Sequence, residues 1–329
     1  MTRTPTISWQ VTAGNLLRSS AVFLFLLALG LYFTSETDNF FQEGNLINIA
    51  KQNVATIIVT IGLTLTMLSG GIDLSVGSVA ALAGAVSAGL IVRNEASFAV
   101  SVMMTLALGF SLGLVNGSLI VHGKLPPFVA TLSMLGVARG LTLLYTEGKT
   151  ISGMGSDYTF WAGRENISIP IVGDVPAPIV VCTVVIIMAM FLLTRTRFGL
   201  HIYAVGGNEE TARLAGVPVN RVKLLTYALS GMLAALAGML LTARLYSAQP
   251  QVGVGLELEA IAASVLGGVS LFGGVGNIPG AVVGGLLIGV LGNGMNLLRV
   301  ASYQQQMIQG AVLVFAVTID MYIKRLEGR

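Results

Sequence analysis

RTRFGLHIYAVGGNEETARLAGVPVNRVK, residues 195–223, is the most basic interruption in a chain that is otherwise nearly all apolar. Arg195, Arg197, Arg213, Arg221 and Lys223 all fall within it. A short helix with legible ends lies inside. Asn208 caps it, and Glu209 and Glu210 occupy the first turn, where the helix dipole favours negative charge. Gly216 and Pro218 then stop it. Glu209 and Arg213 are four apart in the favourable order, while Ala212 and Ala215 share a small-residue face. Isolated helices shorter than about 12 residues are marginal in water, so this one requires a brace. The stretch is either a solvated loop that fixes membrane orientation or a docking element for a partner, and the rest of the chain has to decide.

Of 329 residues, 54% are hydrophobic and 10% charged, with a mean hydropathy of +0.83. Soluble domains carry charge at about 25% of positions, so this is an integral membrane protein. Its 41 glycines often fall inside apolar runs, as expected where helices approach closely through small residues. The net charge of +3 is dispersed at helix ends and forms no basic stripe with interleaved aromatics, which excludes nucleic acid as a partner. The single cysteine, Cys182, lies in an apolar run and is read as a buried thiol; it builds no disulfide framework. The chain is polar up to Arg18, and no small-residue cleavage site follows its first apolar run. The expectation is an uncleaved first span and no signal peptide.

Spanning a bilayer takes about 20 mostly apolar residues. On that basis the fold class is all-α and polytopic, with about ten transmembrane helices at roughly 19–34, 51–68, 78–92, 98–121, 126–145, 177–193, 224–246, 258–272, 280–298 and 305–323. Broken or re-entrant segments are expected near 69–78 and 258–280. Residues 1–18 form one terminal segment, 19–323 a single permease domain, and 324–329 a tail. With the amino terminus inside, 194–223 is cytoplasmic and 146–176 is an outer loop. The 18 lysines and arginines then divide into eleven inside, six outside and Arg139 within a span, in keeping with the positive-inside rule. One internal echo is visible: Gly70, Gly71 and Gly77 recur as Gly273, Gly274 and Gly280. It is read as equally compatible with chance and with repetition.

GGIDLSVGS, residues 70–78, is the most unusual membrane stretch. A charge at the bilayer centre costs roughly 2.5 to 3.5 kcal/mol, so Asp73 must be near an interface, paired or in a cavity. With Ser75 as hydroxyl partner it is either a gate on a substrate path or a capping carboxylate at the start of the third span. Arg139 is the one strongly basic side chain without a place at a span end; it meets Asp73, faces a polar cavity, or snorkels outward. Asn116, Asn293 and Asn296, with Thr131, Ser133, Gln305 and Gln309, are neutral intramembrane groups suited equally to sugar hydroxyls and to helix–helix hydrogen bonds. Catalysis finds no support, because His122 and His201 stand far apart at span ends and no metal-ligand spacing or nucleophile set exists. GKT at 148–150 resembles the end of a phosphate-binding loop, but Leu143 stands where that loop needs glycine. No cofactor is expected, and any ATP-driven work falls to a partner.

GGIDLSVGS, PPFVATLSMLGVARGLTLLYT (126–146), TRFGLHIYAVGGNEETARLAGVPVNRVK (196–223), LELEAIAASVLGGVSLFGGVGNIPGAVVGG (256–285) and LGNGMNLLRVASYQQQMIQGAVLV (291–314) occur in an order that resembles the ribose-type sugar permease family of bacterial ATP-binding-cassette importers. The resemblance covers about residues 40–320. It implies a non-enzymatic subunit of the inner membrane with both termini cytoplasmic, two such permease subunits forming the pore in the bilayer, a cytoplasmic ATPase with two fused cassettes, and a periplasmic sugar-binding protein. It also carries the coupling role over to Asn208, Glu209, Glu210, Ala212, Arg213 and Gly216. A relative that moves branched-chain amino acids and a self-sufficient ion-coupled transporter using Asp73 remain as alternatives.

Overall fold

The computed structural model describes residues 9–161, 166–170 and 173–326. In chain order these form α1 (Trp9–Glu36), α2 (Glu43–Leu68), α3 (Val76–Val92), α4 (Phe98–Val121), α5 (Pro127–Thr146), β1 (Ile151–Ser152), α6 (Ser156–Trp161), β2 (Asn166–Ile169), β3 (Gly173–Pro176), α7 (Ala177–Arg195), α8 (Arg197–Gly207), α9 (Glu209–Leu214), α10 (Val219–Leu245), β4 (Ser247–Ala248), α11 (Leu256–Leu266), α12 (Ile278–Leu297) and α13 (Ser302–Leu326). The chain is a helical, multi-pass membrane protein. Its strands make two antiparallel pairs, β1 with β4 and β2 with β3.

Six described helices, α2, α4, α5, α7, α10 and α12, are long and apolar enough to cross a membrane. The ten expected spans are a finer division than this. The described apolar part of α1 runs over Phe23–Glu36 and α3 covers only 17 residues. α11 is an 11-residue half-helix, and α13 is diluted by Gln304, Gln305, Gln306 and Gln309. α1 begins at Trp9, inside the expected terminal segment; residues 1–8, and with them Arg3, lie outside the described residues, as do 327–329 of the expected tail.

α2 and α10 form the centre, and α10 packs on α2, α3 and α4. Backbones touch there because side chains are missing where they cross. A Cβ at Gly113 of α4 would stand 2.1 Å from the Tyr227 carbonyl oxygen, and one at Gly231 of α10 would stand 2.2 Å from that of Gly109. Small residues substitute for a hydrophobic driving force that is absent between helices in lipid. Thr60, Thr64, Thr142 and Thr146 are wholly buried; the hydroxyls of Thr60, Thr142 and Thr146 each donate to the carbonyl one turn back, which lets polar side chains sit inside the bundle.

Both expected breaks are present with adjusted limits. The first is residues 69–75, with helix resuming at Val76, and the second is 267–277, because α11 claims the positions before it. The stretch 195–223 holds more helix than expected: α8 fills 197–207 ahead of the short helix α9.

Candidate functional site

The short helix has the ends its sequence dictates. Asn208 accepts from the Thr211 N–H at 2.8 Å, and Gly216 takes a left-handed φ of +82° beyond the last turn. Six residues cannot hold a helix alone, and three contacts brace it. Ala212 is buried in the main core, Glu209 accepts from Arg213 at 3.0 Å, and Lys223 of α10 donates to the same carboxylate. Lys223, ahead of the opposing effect of burial, holds the Glu209 carboxyl below its usual value. One surface feature was not singled out from the sequence: Leu214 at the end of α9 is 84% exposed, a large apolar side chain presented on a charged helix. Nothing in its sequence context marks it out from the other leucines of the chain.

α8 connects α9 to both breaks. Its Ile202 and Val205 are buried, and Tyr203 Oη donates to the Gly276 carbonyl at 2.8 Å. At Gly206 the backbone is wedged so tightly that a Cβ would stand 1.8 Å from the Leu68 carbonyl oxygen and 2.6 Å from the Gly274 nitrogen. The Gly274 N–H in turn donates to Leu68 O at 3.0 Å, and a Cβ at Gly273 would lie 2.9 Å from Gly70 Cα. The two glycine groups that echo each other across 203 positions (273 minus 70) therefore meet in space, with Gly206 between them.

Asp73, Ser75 and Asn116 come together as one buried network. Asp73 Oδ1 accepts from the Ser75 N–H at 3.0 Å and the Ser75 hydroxyl at 2.6 Å, and Oδ2 accepts from Ser230 of α10 at 2.8 Å. Asn116 of α4 donates to the Ser75 hydroxyl at 2.9 Å. The carboxylate thus secures the turn into α3 and ties it to two neighbouring helices. Among the described residues, Tyr227 Oη and Asn116 Oδ1 stay buried beside this network without a partner.

Arg139 does not meet Asp73. It donates to the carbonyls of Pro250 at 2.6 Å and Val252 at 3.0 Å, anchoring the loop between β4 and α11. Asn293 exchanges reciprocal 3.0 Å bonds with Asn45 of α2, and Asn296 accepts from Gln305 at 2.9 Å. The described residues contain no cluster of three metal-ligating side chains.

The sequence profile described as branched-chain amino acid transport system / permease component matches residues 45–317. The chain is 44% identical to the ribose import permease protein RbsC of Escherichia coli (strain K12), over 90% of this chain and 91% of that one. It is 42% identical to RbsC of Bacillus subtilis (strain 168), over 91% of each. The xylose transport system permease protein XylH of Escherichia coli (strain K12) is 34% identical, again over 91% of each. No solved structure gives a significant match. On this similarity over most of its length the chain belongs to the permease-component family of the branched-chain amino acid transport system.

Proposed function

We propose that the chain forms the translocation pathway of an ATP-driven importer of a monosaccharide and passes the work of a separate cytoplasmic ATPase into the membrane through α9. The similarity to ribose, allose and xylose permeases at 34–44% identity supports a sugar over the branched-chain amino acid of the family's description. The observation that carries the coupling role is α9 itself. Leu214 stands 84% exposed beside Glu210 and Arg213, and the helix leads within three residues to the wedged backbone of Gly206. A solvent-facing leucine flanked by charge suits an apolar anchor with a polar rim.

In this reading Asn208, Glu209, Glu210, Ala212, Arg213 and Gly216 build the docking element, with Leu214 as its tip. Residues 1–18, 194–223 and 324–329 lie in the cytoplasm, and 146–176 lie outside, facing a periplasmic sugar-binding protein. α1, α3, α11 with its following break, and α13 complete ten crossings, and a second permease subunit completes the pore. An ion site at Asp73 fits less well, since both its oxygens are occupied by hydroxyls and it is sealed from solvent.

The test is uptake by proteoliposomes holding this chain, its ATPase and the binding protein. Ribose, xylose or allose should accumulate with ATP and ignore ion gradients, and Leu214→Asp should release the ATPase. Accumulation by the chain alone under a proton or sodium gradient sinks the proposal.

A further inference from the structure

A cavity of about 610 Å³ lies between α11, α12 and α13, with none of its lining on α9. Its place follows from the topology: α10 is 27 residues and so about 40 Å long, and only past its far end does the chain turn through β4 into α11. The cavity's polar lining is Glu257, Glu259, Ser302, Gln305, Gln306 and Gln309. Two carboxylates and three amides in a pocket of a membrane protein need a reason, because such side chains are expensive against hydrocarbon and mark water-filled paths.

The two carboxylates are not equivalent. Glu257 packs against α3, where a Cβ on Gly77 would stand 2.3 Å from its Oε2, and it feels the field of Arg139 across the loop. It is held by the structure. Glu259 accepts from Gln309, another lining residue, at 3.3 Å. Gln305 is pinned by donating to Asn296 Oδ1 and to the Val300 carbonyl, while Gln306 and Ser302 make no side-chain hydrogen bond among the described residues.

From this arrangement the geometry points to Glu259, Gln306 and Gln309 as a hydroxyl-reading subsite of the translocation path, suited to a neutral polyhydroxyl solute. A carboxylate only accepts hydrogen bonds and a glutamine amide both donates and accepts; vicinal hydroxyls do both and match that pairing. A branched-chain amino acid matches it less well: its ammonium can pair with a carboxylate, but its own carboxylate then faces the other acid and its apolar side chain leaves the amides unpaired. The assignment rests on the importer reading above and adds to it where the solute is felt inside the membrane.

The experiment uses the complete importer in proteoliposomes, with ribose, xylose and leucine as solutes and ATP turnover measured in parallel. Glu259→Leu and Gln309→Leu each lower initial sugar uptake by about tenfold or more, the loss expected for one well-placed hydrogen bond. Glu259→Gln, which keeps a hydrogen-bonding end without charge, stays within about threefold of wild type. ATP turnover stimulated by the loaded binding protein persists, which marks the variants as folded and coupled. Gln306→Trp, at an exposed position that tolerates bulk, also blocks uptake and keeps the assignment testable if a buried variant does not fold.

Unchanged sugar uptake in the Leu variants and Gln306→Trp overturns the subsite while leaving the importer reading intact. Equal loss in Glu259→Gln and Glu259→Leu overturns the neutral solute, because charge is then what matters. Wild-type uptake of leucine with none of the sugars removes both the sugar reading and the subsite.

Discussion

The two breaks in the helical bundle share a glycine signature and are held in opposite ways. The first, residues 69–75, is held by side chains: Asp73 is fully buried and three donors from Ser75 and Ser230 converge on it. The second, 267–277, is held mainly by backbone packed against backbone, with the Asn277 side chain capping the helix that follows. A Cβ at Gly267 would stand 2.3 Å from the Gly280 carbonyl oxygen, the Ser270 N–H donates to Val275 O at 2.9 Å, and Asn277 caps α12 by accepting from the Gly280 N–H at 2.7 Å. One break is therefore sensitive to loss of a side chain and the other to gain of one. They converge at Gly206, so a displacement of α8 and α9 reaches a polar, tied segment and an apolar, close-packed segment at once.

This contrast can be broken at several points. The largest effect is expected from Asp73→Ala, which orphans two buried hydroxyls and an N–H, at about 1–3 kcal/mol for each donor left unpaired. Folded yield and thermal midpoint in detergent should fall steeply, whereas Asp73→Asn, which keeps an acceptor, should recover much of the loss. Equal damage from both variants would mean that charge rather than hydrogen bonding holds the first break.

Gly267→Ala should cost less, about 1–3 kcal/mol from overpacking, and should be worsened by larger side chains in order of volume. A thermal series through alanine, serine and valine reads this directly. Absence of any size dependence would remove the close-packed description of the second break.

The smallest effect belongs to the brace of α9. The Glu209 carboxyl is held below its ordinary value near 4.5, chiefly by Lys223. A depressed carboxyl contributes stability above its unfolded pKa, and that contribution disappears as pH falls through the folded value. Because the pairs are partly exposed and screened, the stability gap between wild type and Glu209→Gln should stay within about 1 kcal/mol at pH 7 and close below about pH 4. A gap that widens on acidification contradicts the assigned ion pairs.

Much of this architecture was legible in the residues. The caps of α9, the position of both breaks and the membrane character follow from local rules about glycine, asparagine and apolar runs, which act over a few positions. The meeting of Gly70 with Gly273 was visible only as a repeated motif, because contact across 203 positions is a property of the whole bundle (273 minus 70). Arg139 shows a limit of the same kind. An intramembrane arginine needs acceptors, and an acidic residue is the obvious partner in a sequence, yet the carbonyls of Pro250 and Val252 serve instead. Backbone acceptors have no signature in residue type. Leu214 and the cavity beside Glu259 escaped for a related reason, since exposure and concavity depend on what packs around a residue.

The proposed transmission of ATP-driven movement through the glycine junction is tested most directly with Gly206→Ala, comparing sugar uptake with ATP hydrolysis in the same proteoliposomes. The added methyl must push Leu68 or Gly274 away, so the ATPase should still copurify and hydrolyse ATP while sugar moved per ATP falls by about tenfold or more. Sugar moved per ATP that matches wild type would show that the junction plays no part in coupling.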